Sequence, residues 1–452
     1  MRAQRRQLMP HQVRFLRWAK TRRSVAAFME MRLGKSLCAI RWAETRPSVE
    51  KALIVAPLSV LPSWRRELAL EGIATCELVG SSQEERNRRL VEAGRDHKWY
   101  LINREGLLTR EGGRTKASAW ARLPWDLVII DESTCIRNPK AKTTRVALEH
   151  LAAAPYRALL TGLPNPEGPE DYVTQMLFLE GGRPFMGCTN FWQWRQEHMQ
   201  PVGYEWAVKG SSIAALRREV RERSFFLTRR EAGVPDEKLR QTRWVRLPAA
   251  VVRAMKSARK EFAVGERLTN NVLTAMQWEC QLAGGAFPTL EHDAKFTELV
   301  ELAVGEFKCN QLVVWARYTA EIEAAAISLA RAGIAVAIVN GDVDPQERER
   351  RIAAFKAGKT RVLVAQPQCL KMGVDLSEAE VAIVLSNYFD FEIRAQMEDR
   401  IVHPKKARPA LIVDIVAEGS IDEDVLQALV DKRTDSRTFN SRLLSIARSI
   451  AS

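Results

Sequence analysis

The sequence predicts an α/β protein built from two parallel-sheet lobes in tandem, with a mainly helical insertion between them. Over 24–180, short apolar runs (SVAAFM, KALIVAP, WYLIN, DLVIID, YRALLTG) alternate with amphipathic segments. Over 308–432 the pattern recurs in LVVWA, IAVAIVN, RVLVAQ, VAIVLS and ALIVDIV. Continuous Val/Ile/Leu runs bounded by turns and separated by helical periods mark strands buried on both faces of a parallel sheet. The middle is set apart by FWQWRQEH and by charged helical periods such as SIAALRREVRER and PAAVVRAMKSARKEF. The expected boundaries are a first lobe at 1–180, an insertion and inter-lobe connection at 181–300, and a second lobe at 301–452 ending in an amphipathic helix over 433–452.

Composition narrows the class. A length of 452 residues with 46% hydrophobic content is ample for two cores, and no apolar run approaches the ~18–20 residues of a membrane span. The basic N-terminus lacks the apolar core of a secretory signal, which points to the cytoplasm. The seven cysteines (38, 76, 135, 188, 280, 309 and 369) are scattered without a CxxC pair, a distribution that argues for reduced thiols rather than a disulfide framework or a zinc site. With 69 Lys and Arg against 55 Asp and Glu, the net charge of +14 favours a polyanionic partner, because each phosphate neutralised releases counterions.

Two motifs carry chemistry. In AAFMEMRLGKSLCAIRWA an apolar strand meets a short loop, then Gly34-Lys35-Ser36 and a helix. Backbone N–H groups of such a loop at a helix N-terminus form an anion nest. Lys35 would reach the β- and γ-phosphates of a nucleoside triphosphate, and the Ser36 hydroxyl would bind Mg²⁺. The pattern GxxxxGK[ST] expects glycine where Met29 stands. In DLVIIDES, four apolar residues carry a strand to Asp131-Glu132 at its carboxyl end, where α/β sheets place ligands. Asp131 suits a Mg²⁺ ligand, and Glu132 suits a base for the attacking water.

Together with further segments these motifs resemble the Swi/Snf-type DNA translocases of helicase superfamily two, whose DEMGLGKT corresponds to Met29–Ser36 here. APLSVLPSW at 56–64 and LINREGL at 101–107 resemble motifs Ia and Ib. LTGLPNP at 160–166 resembles motif III, LVVWARY at 312–318 motif IV, KMGVDLSEAEVAIVLSNYFD at 371–390 motif V, and QMEDRIVHPKK at 396–406 motif VI. The resemblance implies two RecA-like lobes, ATP and Mg²⁺ as ligands, and duplex DNA as partner, with single-stranded DNA or RNA left open and a monomer as the default. It implies nucleotide contacts from Gln12, Leu33, Gly34, Lys35 and Ser36 in the first lobe, and from Gly373, Asp375 and Gln396 in the second. Lys35, Asp131, Glu132 and Arg400 would be catalytic, with Arg400 approaching the γ-phosphate; Ser36 and Asp131 would hold the metal. Ser59, Asn103, Arg104, Arg317 and Gln368 would contact a nucleic-acid backbone. Departures are Arg32 at the inner glycine, Ser133-Thr134 for Ala-His, and His403 at the second motif VI arginine, with Lys405 and Lys406 nearby.

The implied function is an ATP-dependent translocase on duplex DNA. A strand-separating helicase and a non-hydrolysing DNA-binding module remain as alternatives. No wedge hairpin is evident in 181–300, which disfavours the helicase. Trp64, at helical spacing from Leu61 and Leu68, reads as core, as do Phe191, Trp192 and Trp194 on one face of a helix. The compact chain, without a nuclease or histone-reading module, suggests a minimal bacterial or viral motor.

Overall fold

A computed structural model describes residues 5–78, 85, 88, 98–111, 113–166, 168–202, 205–234, 238–269, 271–370, 374–402 and 409–432. Gly373, His403, Lys405, Lys406 and the tail 433–452 lie outside the described residues. The chain forms two units, Met1–Val234 and Pro235–Ser452.

The first unit is built on seven strands: β1 Ser24–Met29, β2 Ala52–Ala56, β3 Thr75–Glu77, β4 Trp99–Asn103, β5 Leu127–Asp131, β6 Tyr156–Thr161 and β7 Ser224–Leu227. They form one parallel sheet in the order β7-β1-β6-β5-β2-β4-β3. Among the described residues its helices include α1 Pro10–Ala19, α2 Lys35–Glu44, α3 Leu61–Leu70, α4 Lys142–Glu149, α5 Asp171–Glu180, α6 Phe191–His198 and α7 Gly210–Arg223. Strand residues alternate between two cores. Phe28, Val55, Ile102, Ile130 and Leu159 belong to one, and Met29, Ile54, Leu101, Ile129 and Leu160 to the other. The predicted strand buried on both faces is the physical origin of the unbroken apolar runs.

The second unit repeats the plan with β8 Lys238–Val245, β9 Leu312–Trp315, β10 Val336–Val339, β11 Val362–Ala365, β12 Val381–Val384 and β13 Ala410–Ala417. The order is β8-β13-β12-β9-β11-β10, again all parallel. Its helices are α8 Ala249–Glu261, α9 Val272–Ala283, α10 Ala294–Val304, α11 Thr319–Arg331, α12 Pro345–Lys356, α13 Phe391–Asp399 and α14 Ile421–Lys432.

Residues 181–300, set apart in the sequence, are shared between the units. Helices α6 and α7 and strand β7 belong to the first, and β8, α8 and α9 to the second. The stretch also contains an antiparallel hairpin, Met199–Val202 against Glu205–Val208, where the apolar pattern had shown no hairpin. Val202 and Trp206 are exposed in it, so little apolar periodicity marks the pair.

The sheet order decides what the first unit can do. Strands β1, β6, β5, β2 and β4 are consecutive neighbours, so the loop at 30–34, Thr161, Asp131-Glu132, Ser59 and Asn103-Arg104 follow one another along a single carboxyl edge.

Candidate active site

The loop after β1 ends at Gly34, the N-cap of α2, with φ of 75°. The positive φ favours glycine there, and an added Cβ would lie 2.3 Å from Nε2 of Gln12, so that side chain would have to shift. Gln12 is 4% exposed on α1; its amide accepts from Met9 N at 2.9 Å and donates to the Leu33 carbonyl at 3.3 Å. The neighbouring His11 ring lies 2.9 Å from the same carbonyl. Gln12, expected to contact the nucleotide, is thus fixed against the loop. Arg32, at the family's inner glycine, has a left-handed backbone with φ of 67°, a conformation that glycine adopts without strain. The Lys35 ammonium donates to the carbonyls of Met29 at 2.9 Å and Glu30 at 3.2 Å, which holds it over the loop. Ser36 is half-buried on the first turn of α2.

Asp131 ends β5 and is 8% exposed. Its Oδ2 accepts from the Trp64 indole at 2.7 Å, and its Oδ1 from the Glu132 backbone N–H at 3.0 Å. Burial raises its pKa above the ordinary carboxylate value, while the Trp64 indole, the Lys35 charge and the Glu132 N–H act in the opposite direction. Glu132 sits in a left-handed conformation with φ of 50°, turning its side chain out of the strand line. Its Oε2 accepts from the Thr161 hydroxyl at 3.1 Å, and Thr161 Oγ1 in turn accepts from Leu163 N at 3.2 Å.

Ser133, in place of the family's alanine, donates to Gln175 Oε1 at 2.6 Å. Gln175, 0% exposed, donates to the carbonyls of Pro164 at 2.7 Å and Asp171 at 2.8 Å. The residues after β5 are thereby tied to the loop after β6 without the histidine. At Gly162 a Cβ would be 3.4 Å from Met31 N, so that second loop also packs on the first. The set of donors suits a triphosphate and Mg²⁺: a glycine cradle at a helix N-terminus, an ammonium, a half-buried hydroxyl and a buried carboxylate.

Further along the edge, Ser59 has its hydroxyl oxygen buried, with no hydrogen-bond partner among the described residues. Asn103 Nδ2 and the exposed Arg104 both donate to Glu105, at 2.9 and 2.7 Å. Burial works to raise the Glu105 pKa, but the hydrogen bonds from Arg104, its own backbone and Asn103 leave it below the ordinary value.

In the second unit Arg317 follows β9 and the exposed Gln368 follows β11, its neighbour. The Arg317 guanidinium lies 5.1, 5.2 and 5.4 Å from the rings of Tyr318, Tyr388 and Phe389, and its Nη1 is buried with no hydrogen-bond partner among the described residues. The three aromatic faces hold the guanidinium by cation–π attraction. Arg400 is 6% exposed at the end of α13 and donates to the Val374 carbonyl at 3.1 Å, joining motif VI to motif V. Beside it, Glu398 pairs with Arg394 at 2.9 Å and Arg240 at 2.6 Å, and Asp399 with Lys238 at 2.6 Å. Asp375 accepts from Ser377 N at 3.1 Å, and Gln396 donates to Glu392 at 3.2 Å.

Two contacts with the site have no signal in the sequence. Trp64 is core, at 1% exposure, yet its indole also fixes Asp131. Arg229, 3% exposed, donates its backbone N–H to Glu30 Oε2 at 2.7 Å and its Nε to the Met31 carbonyl at 3.1 Å, bracing the phosphate loop from the turn after β7. The parallel pairing of Met29 with Leu227 puts it there, and no local signal announces that register. Of the predicted aromatic trio, Trp194 is fully buried and Trp192 is 44% exposed.

Residues 11–250 match the family model of the SNF2-related domain, and residues 294–405 that of the helicase conserved C-terminal domain. The bovine SWI/SNF-related matrix-associated actin-dependent regulator of chromatin subfamily A-like protein 1 is 24% identical over 413 residues, covering 89% of this chain and 41% of that protein. The chain thus spans about two fifths of that relative. Among solved structures, the Sulfolobus solfataricus SWI2/SNF2 ATPase core in complex with dsDNA aligns over 98% of this chain and 97% of its own, at 18% identity and a TM-score of 0.46. The Pyrococcus furiosus Hef helicase domain aligns over 93% and 97% at 14% identity with a TM-score of 0.54, a likeness of fold.

Proposed function

The chain belongs to the SNF2-related family of helicase superfamily two, and we propose that it is an ATP-hydrolysing motor that translocates on duplex DNA with little sequence preference. The observation that carries the reading is the single carboxyl edge of the first sheet. It holds Lys35, Thr161, Asp131 and Glu132 together, with Ser59, Asn103 and Arg104 on the next strands. Groups suited to a triphosphate and groups suited to a phosphate backbone thereby stand on adjacent strands of one sheet.

In this reading Gly34, Lys35 and Leu33 cradle the phosphates, and Gln12 reads the base from beside the loop. Ser36 and Asp131 would hold Mg²⁺, whose charge when bound offsets that building on the phosphoryl oxygens. Glu132 orients the attacking water and takes its proton on a carboxylate oxygen, with Thr161 holding the other side of that carboxylate in place. Arg400, Gly373, Asp375 and Gln396 are assigned to the nucleotide by their motifs, and Arg317 and Gln368 to the nucleic-acid backbone. Contacts of this kind position a protein without reading sequence.

A second reading, strand separation, gains from the hairpin Met199–Val208, because such an element can serve as a wedge. Steady-state ATP hydrolysis at one fixed salt concentration, without nucleic acid and with single-stranded DNA, duplex DNA or RNA, distinguishes the two. Stimulation by duplex DNA together with triplex displacement supports the translocase. Stimulation by single strands with unwinding of a forked duplex replaces it with the helicase. No turnover beside tight DNA binding replaces both with a binding module.

A further inference from the structure

Away from the nucleotide chemistry, the segment 185–212 brings a thiol, a carboxylate and an imidazole to one point. Phe185 and Cys188 exchange backbone hydrogen bonds of 2.9 and 3.0 Å around Met186 and Gly187. Those two central residues have φ of 51° and 82°. Positive φ at both positions is the tight hairpin turn that fixes the direction of the residue after it. Cys188 Sγ consequently faces Glu197 Oε2 at 3.4 Å.

Glu197 and His198 come from the last turn of α6. The Glu197 carboxylate is oriented by Gln193, which donates to Oε1 at 3.2 Å and is itself held by Thr189 N at 3.0 Å. Oε2 is left facing the thiol. The His198 ring stacks on the buried Trp194, centroids 5.3 Å apart, and its Nδ1 is 3.0 Å from Ser212 Oγ on α7. Its other nitrogen, Nε2, is buried with no hydrogen-bond partner among the described residues and lies 4.0 Å from Glu197 Oε2. The three ligand atoms all lie within 4.8 Å of one another.

We propose that Cys188, Glu197 and His198 bind a thiophilic divalent cation, Zn²⁺ by chemistry. One sulfur, one imidazole nitrogen and one carboxylate oxygen are the ligand types zinc takes in tetrahedral sites, and three protein ligands leave a fourth position for water. The thiolate selects against Mg²⁺ and Ca²⁺. Each ligand has an orienting partner of the kind that metal sites use: the turn for Cys188, Gln193 for Glu197, Ser212 for His198. On binding, the Cys188 thiol releases its proton to solvent, and His198 binds as neutral imidazole through Nε2. The ion would pin the turn before α6 to the end of that helix. The sequence hid the site because Cys188 stands alone, nine-odd positions before its partners, outside any CxxC pattern.

The test uses the full chain, freed of metal and titrated with Co²⁺ and Zn²⁺. The expected result is a thiolate-to-cobalt charge-transfer band that saturates at one equivalent, is displaced by Zn²⁺, and is unaffected by excess Mg²⁺. Cys188→Ser should abolish the band, His198→Gln and Glu197→Gln should each weaken binding at least tenfold, and Cys309→Ser should leave it intact. Thermal unfolding with and without Zn²⁺ gives a readout independent of colour: a rise in Tm in the parent that is absent in His198→Gln. A parent protein without the band overturns the proposal and leaves a hydrogen-bonded thiol–carboxylate pair. A band that persists undiminished in both Cys188→Ser and His198→Gln also overturns it.

Discussion

Thr161 donates its hydroxyl to Glu132 Oε2 at 3.1 Å, so the last residue of one strand holds the carboxylate that follows its neighbour. Glu132→Gln keeps the shape and loses the base. Turnover should fall by about 10²–10⁴ with nucleotide binding retained. Thr161→Val removes the hydroxyl at nearly constant volume and should cost about tenfold, as a positioning loss smaller than removal of the base. Steady-state rates and a fluorescent-nucleotide titration check both; near-parental turnover of Glu132→Gln would move the base elsewhere.

Lys35 holds its ammonium over the phosphate loop. Lys35→Ala should abolish triphosphate turnover and leave DNA affinity within a factor of about two, since the nucleic-acid groups stand on other strands. Parallel ATPase and DNA-binding assays decide it. Unchanged turnover would remove the phosphate cradle from 30–36.

The left-handed Arg32 gives the loop a separate signature. Arg32→Gly should leave stability within about 1 kcal/mol of the parent, because relief of the strained backbone is offset by a more flexible unfolded chain. Arg32→Val should lose about 1–2 kcal/mol, since a β-branched residue tolerates positive φ poorly. Arg229→Ala removes the guanidinium from Met31 and should weaken nucleotide binding more than DNA binding. Chemical denaturation and nucleotide titration provide the readings.

Arg317 should act through phosphate. Arg317→Ala is expected to weaken DNA binding about equally for unrelated sequences and to lower the slope of log K against log salt by about 1. Binding isotherms at several salt concentrations measure it. A sequence-dependent loss with an unchanged slope would make Arg317 a base contact.

Glu321, 0% exposed on α11, gives a pH dependence of stability. Burial pushes its carboxyl up from 4.5 to about 7, with Lys295 and the Ser386 hydroxyl lowering it and Asp422 raising it. Because the folded value lies above the unfolded one, the neutral carboxyl favours the fold below the unfolded pKa, near 4.5, and that contribution is lost as pH rises through about 7. Relative to Glu321→Gln, the parent should lose up to about 3 kcal/mol across this window. Denaturation curves of the two proteins from pH 4 to 8 test it, and parallel curves would refute the assignment.

Much of this architecture is legible in the sequence for a physical reason. Strands buried on both faces must be apolar throughout, and ligand-binding groups must follow their carboxyl ends, so SVAAFM, DLVIID and YRALLTG announce both the sheet and its active edge. What hides is what depends on distant register. Arg229 reaches the phosphate loop only because Leu227 pairs with Met29, and Gln175 meets Ser133 only after α5 has packed beneath the edge. Strand β8 escapes because it lies at a sheet edge, where KLRQTRWV is largely polar and partly exposed. Helical spacing marks Trp64 as core, which it is, and its indole bond to Asp131 follows from packing rather than pattern.

The outermost pairings have a consequence for biogenesis. Ala26 finds Ser224, and Lys238 finds Ala410, so each sheet is completed by a strand that leaves the ribosome long after its partner. Until Ser224–Leu227 emerges, β1 is an uncovered apolar edge able to capture a stray strand from another nascent chain. Pairings so remote in sequence also close slowly. A chain stopped short of residue 227 should therefore be recovered as aggregate, and overexpression should be served by slow synthesis or a chaperone that shields the first unit until its last strand arrives.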